Sequence, residues 1–257
     1  MNLGLTGKNF IVAGSSRGIG AGIAAVLLEE GANVMITGRE HSDVDNTFEK
    51  FNKQYPGRIL SHVGDLNDTG VLQNLYDQVQ GKWKTLHGIV ANAGAVKPVN
   101  DWDIDEADWD WYLSANFSTS VKLVTRFIKE LITTKGAIVI TGSIAGVEDI
   151  GAPLPYSAAK AALTMYAKGL SRKLGADGVR VNTVAPGNII FPGGNWDKKS
   201  KANPEAVNQL LETKVPLKQF GKPDDIGNIT AFLLSDKAKF ITGSCVVVDG
   251  GQTSLFI

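Results

Sequence analysis

The sequence predicts an α/β fold in which a parallel sheet is buried between two layers of helices. Two observations carry this. Seven short segments are apolar almost without interruption, as strands covered on both faces are, and the stretches between the first six repeat with helical periodicity. Strand–helix alternation of this kind implies right-handed crossovers between parallel strands. A hydrophobic content of 43% in 257 residues is enough for a sizeable core and too high for a disordered chain.

The strands are expected at Lys8–Ala13, Asn33–Thr37, Ile59–Val63, Leu86–Ala91, Ala137–Thr141, Val179–Val184 and Cys245–Val248. The intervening helices are expected at Gly18–Glu30, Asp43–Gln54, Thr69–Gly81, a long stretch near Asp108–Thr134, and Tyr156–Leu174. Two later helices are expected at Pro204–Thr213 and Pro223–Leu234, each with a proline in its first turn, where the missing N–H costs nothing. Gly187–Asn203 has no regular pattern and carries Pro192, Gly193, Gly194 and the Lys198–Lys199 pair. Irregular chain after a strand of such a sheet reads as a loop over a site, so residues 188–213 are a candidate lid and residues 1–257 one domain.

Lys plus Arg and Asp plus Glu both number 26, with no basic tract, which argues against nucleic acid or an anionic membrane as partner. The single cysteine, Cys245, excludes an intramolecular disulfide and reads as a buried strand residue. The first ten residues lack a signal-peptide pattern and no apolar run is long enough to span a bilayer, so a cytoplasmic location is expected. His41, His62 and His87 lack metal-ligand spacing.

The first strand runs into Ala13-Gly14-Ser15-Ser16-Arg17-Gly18-Ile19-Gly20 and then a helix. Gly14 permits a tight turn, Gly18 lets backbone approach a pyrophosphate, and Gly20 lets helix pack closely on strand. The helix start offers free N–H groups and a positive dipole end. A glycine turn without a ligand is the bland alternative; its place in the first strand–helix unit favours a dinucleotide and a Rossmann-type doubly wound sheet. The second strand ends in Thr37-Gly38-Arg39, with no acid to hold a ribose 2′-hydroxyl. Arg39 can instead pair with a 2′-phosphate, with Arg17 as a second cation, which points to NADP(H) rather than NAD.

Tyr156 and Lys160 are four residues apart at a helix start, on one face. A cation near the phenol can lower its pKa from about 10 by about 1–3 units. Tyr156 can then donate a proton in reduction and accept one in oxidation. Ser143 follows the fifth strand, where such sheets bind ligands, and its hydroxyl can hold a substrate oxygen. Asn92-Ala93-Gly94 closes the fourth strand, and Asn116 interrupts a helical pattern for which asparagine is poorly suited.

These motifs, in this order, resemble the short-chain dehydrogenase/reductase family over Lys8 to Gly251. They are Gly14/Gly18/Gly20, Asp65-Leu66, Asn92-Ala93-Gly94, Asn116, Ser143, Tyr156 with Lys160, Pro186-Gly187 and Asp249-Gly250-Gly251. The resemblance implies a seven-stranded parallel sheet, a catalytic tetrad of Asn116, Ser143, Tyr156 and Lys160, and a homo-oligomer, tetramer or dimer. It also implies that Lys160 holds the nicotinamide ribose and that Asn116 supports a water leading to Lys160. Asp65 and Leu66 would meet the adenine. The implied cofactor set is completed by Gly14, Ser16, Arg17, Gly18, Ile19, Gly20, Arg39, Asn92, Ala93, Gly94, Pro186, Gly187 and Ile189. Two positions depart from the family pattern. Phe191 stands where a threonine commonly bonds the carboxamide, and Ala91 replaces the first asparagine of the fourth-strand motif.

The expected activity is an NADP(H)-dependent hydride transfer between nicotinamide and a carbonyl or secondary alcohol. The resemblance suggests a 3-oxoacyl thioester; a sugar, polyol or steroid-like substrate competes with it. An NAD-dependent alcohol or sugar dehydrogenase and a catalytically silent NADP-binding scaffold are the alternatives. Trp102, Trp109 and Trp111, set among five aspartates in Asn100–Tyr112, read as packing or a subunit contact, whereas Trp196 is a candidate substrate contact. The apolar ending Ser254–Ile257 reads as a covered tail.

Overall fold

The computed structural model describes residues 2–99 and 102–254. Seven strands form one parallel sheet in the order β3-β2-β1-β4-β5-β6-β7. They are β1 (Asn9–Val12), β2 (Asn33–Gly38), β3 (Ile59–Val63), β4 (Gly88–Ala91), β5 (Ala137–Thr141), β6 (Arg180–Pro186) and β7 (Cys245–Val248). The strand order reverses direction between β1 and β4, which pair Val12 with Val90. A crevice outside the carboxyl ends of the strands is expected at that point.

Side chains alternate across the sheet and feed two cores. Phe10 and Val12 face one side together with Ile23, Leu27, Val44, Phe51 and Ile226. Those partners lie on α1 (Gly18–Glu29), α2 (His41–Gln54) and α9 (Pro223–Leu234). Ile11 and Ala13 face the other side with Leu75, Phe127, Leu131 and Leu163. These come from α3 (Thr69–Lys82), α5 (Thr119–Thr134) and α6 (Leu154–Leu174). Continuous apolar strands are thus what a two-sided core requires.

Three expectations change. The helix foreseen near Asp108–Thr134 is divided into α4 (Glu106–Leu113), a π-helical turn at Ser114–Ser118, and α5. The irregular stretch Gly187–Asn203 contains a further helix, α7 (Asn195–Ala202), before α8 (Pro204–Lys214). It escapes periodicity because no residue of it is buried, so it has no apolar stripe. Local bonds define it instead: Asp197 accepts from the Gly193 N–H at 2.9 Å and pairs with Lys201 at 2.8 Å, one turn on. Lastly, Cys245 is half-buried, because β7 is the last strand and lacks a neighbour on one edge. The tail expectation falls on residues 255–257, which lie outside the described residues.

Near the switch point, α1 and α9 meet through glycine. A Cβ on Gly22 would lie 2.3 Å from the Cβ of Pro223, and one on Gly227 would lie 2.7 Å from Val26 Cγ2. This close crossing seats α1 against the sheet. Gly22→Val is therefore expected to lower the stability of the fold by about 1–3 kcal/mol through overpacking, read as a fall in the urea midpoint at unchanged slope; an unaltered midpoint would show that the helices separate freely.

Candidate active site

The turn from β1 into α1 is bent by two glycines in the left-handed region, Gly14 and Gly18, both at φ +59°. Gly20 is closed to any side chain, since its Cβ would come within 2.2 Å of the Gly14 carbonyl oxygen. Asn92 pins the turn from the neighbouring strand end, donating from Nδ2 to the carbonyls of Ala13 and Gly14, each at 3.1 Å. Ser15 Oγ bonds to the Val12 carbonyl and to the Thr37 N–H, so it is consumed in joining β1 to β2. No side chain caps the start of α1, where Arg17 stands as N-cap. The N–H groups of its first turn are therefore available to an anion.

Around this turn the structure gathers most of the expected cofactor residues at the carboxyl edge of the sheet. Gly38 at the end of β2 lies against Ser16, whose Oγ would be 2.9 Å from a Cβ at Gly38. Arg17 and Arg39 are both exposed on this side. Asp65 is exposed and accepts from the Asn67 N–H at 2.9 Å, while Leu66 is buried in the core. Ala93 packs on Gly14, its Cα 3.0 Å from a Cβ built there. Pro186 ends β6, and Ile189 beyond it is buried and bridges to Gly221. Apart from Phe191, whose ring covers Gly18, this chemistry fits a phosphate-bearing dinucleotide: free N–H donors, a cradle only glycine permits, and two arginines beyond it.

The second cluster lies at the end of β5. Ser143 is buried and opens a short 3₁₀ turn, Ile144–Gly146, accepting from the Ala145 N–H at 3.2 Å. That turn presses on α6 at Lys160, where a Cβ on Gly146 would be 2.7 Å from the Lys160 carbonyl carbon. Ser143 is thereby brought near enough to Tyr156 for its hydroxyl to act on the phenol. Pro155 within the first turn of α6 sets the helix start two residues ahead of Tyr156 and six ahead of Lys160. Lys160 is buried at 3% exposure, with Nζ donating to the Thr141 carbonyl at 2.9 Å and standing 5.8 Å from the Tyr156 ring centre.

Electrostatically the cluster differs from the simple expectation. Burial pushes the Tyr156 phenol above its usual value, while the Ser143 hydroxyl opposes that rise. Lys160 Nζ donates to the Thr141 carbonyl. Burial lowers Lys160 itself to about 8. At neutral pH the arrangement therefore offers a protonated phenol beside a serine hydroxyl and a buried ammonium, which is the state a proton donor to a carbonyl requires.

Asn116 is fully buried in the π-helical turn. It donates to the carbonyls of Ala95 and Tyr112 at 2.9 and 3.1 Å and accepts from the Ala95 N–H at 3.0 Å. Gly94 makes the approach possible, since a Cβ there would lie 2.9 Å from Asn116 Oδ1 and 3.4 Å from Lys160 Nζ. Asn116 thus ties the strand beyond β4 to the cluster and stands near Lys160.

Two residues of this neighbourhood carried no signal of their own in the sequence. The Thr141 carbonyl acts through backbone, which residue identity does not reveal. Tyr112 is fully buried, hydrogen-bonds the Lys97 backbone, and meets Tyr156 edge-on at 6.5 Å between ring centres. Of the tryptophans, Trp102 is exposed, Trp111 stacks under Lys97 at 4.9 Å, and Trp196 packs on Phe220 at 5.3 Å. Among the described residues no group of His, Cys, Asp and Glu is arranged to hold a metal, and no helix is long and apolar enough to cross a membrane.

A family model described as enoyl-(acyl carrier protein) reductase matches residues 13–253. The chain belongs to the short-chain dehydrogenase/reductase family. It is 30% identical to the 3-oxoacyl-(acyl-carrier-protein) reductase of Chlamydia trachomatis, over 96% of this chain and 98% of the relative. It is 32% identical to a 3alpha-hydroxysteroid dehydrogenase of Mediterraneibacter gnavus, over 97% and 98% of the two chains. The crystal structure of L-sorbose reductase from Gluconobacter frateurii, complexed with NADPH and L-sorbose, superposes with a TM-score of 0.93 at 26% identity, covering 100% of both chains. The protein is an oxidoreductase of this family, with the family's α/β architecture.

The buried amine gives a prediction with a defined sign. The folded value near 8 lies below the ordinary 10.5, so between those pH values the unfolded chain holds a proton that the folded chain has released. This group's contribution to stability therefore rises with pH across that window. Heteronuclear NMR of the Lys160 amine is expected to show a midpoint near 8; titration at the ordinary lysine position would show that water reaches Nζ.

Proposed function

We propose that this protein is an NADP(H)-dependent reductase of a carbonyl group, with Tyr156 as its proton donor and the secondary alcohol as product; oxidation is the same step reversed. The observation that carries this reading is the Ser143–Tyr156–Lys160 cluster, set at the carboxyl edge of the sheet beside the glycine turn. When bound, the cofactor supplies the hydride.

The remaining work falls to side chains of this chain. Ser143 holds the carbonyl oxygen by a hydrogen bond next to the Tyr156 hydroxyl. Tyr156 protonates that oxygen as negative charge builds on it. Its raised pKa in the free chain keeps the proton in place until then. The Lys160 ammonium, buried beside it, favours the phenolate left behind, since an opposite charge in a low-dielectric site stabilises the ionised form. Asn116 positions Gly94 and Ala95 against Lys160.

Preference for NADP(H) rests on Arg39. It follows β2 with no acid at the strand end, and among the described residues no ion pair engages it. A guanidinium free to fork onto a phosphate favours a 2′-phosphate over a 2′-hydroxyl. The NADPH complex of the superposed sorbose reductase supports this choice. Residues 188–213, which hold α7, form the lid over the substrate. The reductases of a 3-oxoacyl thioester and of a ketose among the similar proteins make ketones of both kinds the substrates to test.

Tyr156→Phe is expected to cut turnover by about 10²–10⁴-fold while NADPH still binds; turnover near wild type in the NADPH absorbance assay would end the mechanism. Arg39→Asp is expected to raise the Kd for NADPH by at least about tenfold, the loss of a charge-assisted contact, and to leave NADH within about twofold. Equal effects on the two cofactors by calorimetry would remove the argument from Arg39.

A further inference from the structure

The chain leaving β4 has no regular structure over residues 92–99, yet two side chains hold it by its backbone. Asn116 takes both groups of Ala95: Oδ1 accepts from the N–H at 3.0 Å and Nδ2 donates to the carbonyl at 2.9 Å. Four residues earlier, Tyr112 does the same to Lys97. Its hydroxyl accepts from the Lys97 N–H at 3.0 Å and donates to the Lys97 carbonyl. Residues four apart on a helix share a face, so one face clamps alternate residues of one strap. The Lys97 side chain adds to the hold, pairing with Asp108 and lying 4.9 Å from the ring centre of Trp111.

The strap runs beside the proton-transfer cluster. A Cβ on Gly94 would stand 3.4 Å from Lys160 Nζ, and Val96, between the two clamped residues, is 41% exposed. Tyr112 itself is fully buried, and its ring meets that of Tyr156 edge-on, at 6.5 Å and 68°. Trp111 packs on Tyr112 at 5.0 Å. The Tyr156 ring therefore lies between the Tyr112 edge and Lys160, whose Nζ is 5.8 Å from its centre. Packing alone does not call for the Tyr112 hydroxyl, since phenylalanine has nearly the same volume. The hydroxyl is spent on the strap, and the ring on Tyr156.

We propose that Tyr112 is a positioning residue with two separable tasks: its hydroxyl fixes the 95–97 strap as a wall of the substrate site, and its ring orients the Tyr156 ring for proton donation. This rests on the reductase reading above. Loss of the hydroxyl alone loosens substrate binding, which reads in KM. Loss of the ring leaves Tyr156 unbacked, which reads in kcat. A residue that merely filled the core would move neither constant by itself.

The full chain, Tyr112→Phe and Tyr112→Leu are compared. Turnover is followed by NADPH absorbance with L-sorbose and with acetoacetyl coenzyme A, a 3-oxoacyl thioester. Amide exchange of Ala95 and Lys97 and the flipping rate of the Tyr156 ring are read by NMR without substrate. In Tyr112→Phe the Lys97 amide is expected to exchange several-fold faster while Ala95, held by Asn116, does not change. KM rises about 2–10-fold, the loss of one neutral hydrogen bond, and kcat stays within about twofold. In Tyr112→Leu the Tyr156 ring also flips faster and kcat falls about 2–10-fold, the loss of an aromatic contact. The phenylalanine variant keeps the ring and guards against a folding defect in the leucine variant. An unchanged KM in Tyr112→Phe, or full kcat in Tyr112→Leu, overturns the proposal. A wild type that turns over neither ketone counts against the reductase reading instead; the amide and ring signals need no substrate, and an unmoved Lys97 amide or Tyr156 ring still overturns the role of Tyr112.

Discussion

The meeting of β1 and β4 at their carboxyl ends is the constraint on which the rest of this site depends. Strand order reverses there, and the chain leaving β1 must turn at once into α1. Asn92 holds that turn through two carbonyls, and Gly20 sits so close to the Gly14 carbonyl that a single methyl group would not fit. The contact fixes the first N–H groups of α1 in an open, anion-ready array. It also fixes the chain beyond β4, where Gly94 lies against Asn116 and Lys160. The proposed cofactor seat and the proposed proton-transfer cluster thereby lie on one edge of one sheet.

Burial then tunes what the fold brings together. Lys160 is enclosed, and that burial draws its pKa down to about 8 although its Nζ donates to a backbone carbonyl. Tyr156 is pushed the other way by the same cause. Desolvation penalises whichever form is charged, so it raises a phenol and lowers an amine. The two values are thus moved apart, the amine falling below its ordinary 10.5 while the phenol rises above its ordinary 10.0.

The segment after β6 behaves differently from the sheet. Its helix α7 buries no side chain and is defined by Asp197, Lys201 and a glycine N-cap. Elements with few buried contacts open most readily, and the Phe191 ring against the N-cap Gly194 is one tie on this one. The stacked pair Trp196–Phe220 is the other tie holding it.

The sequence by itself determined the strands, six of the helices nearly to the residue, the glycine turn, and the helical spacing of Tyr156 and Lys160. These depend on local pattern: apolar runs, periodicity of 3.6, and glycine where no Cβ fits. Tertiary structure decided what local pattern cannot hold. It turned Lys160 toward the Thr141 carbonyl, split the helix at Asn116, placed Tyr112 against Tyr156, left β7 half-covered at the sheet edge, and laid Phe191 on Gly18. Each of these depends on groups far apart in the chain, or on backbone atoms that every residue carries alike, so no reading of side-chain order could have supplied them.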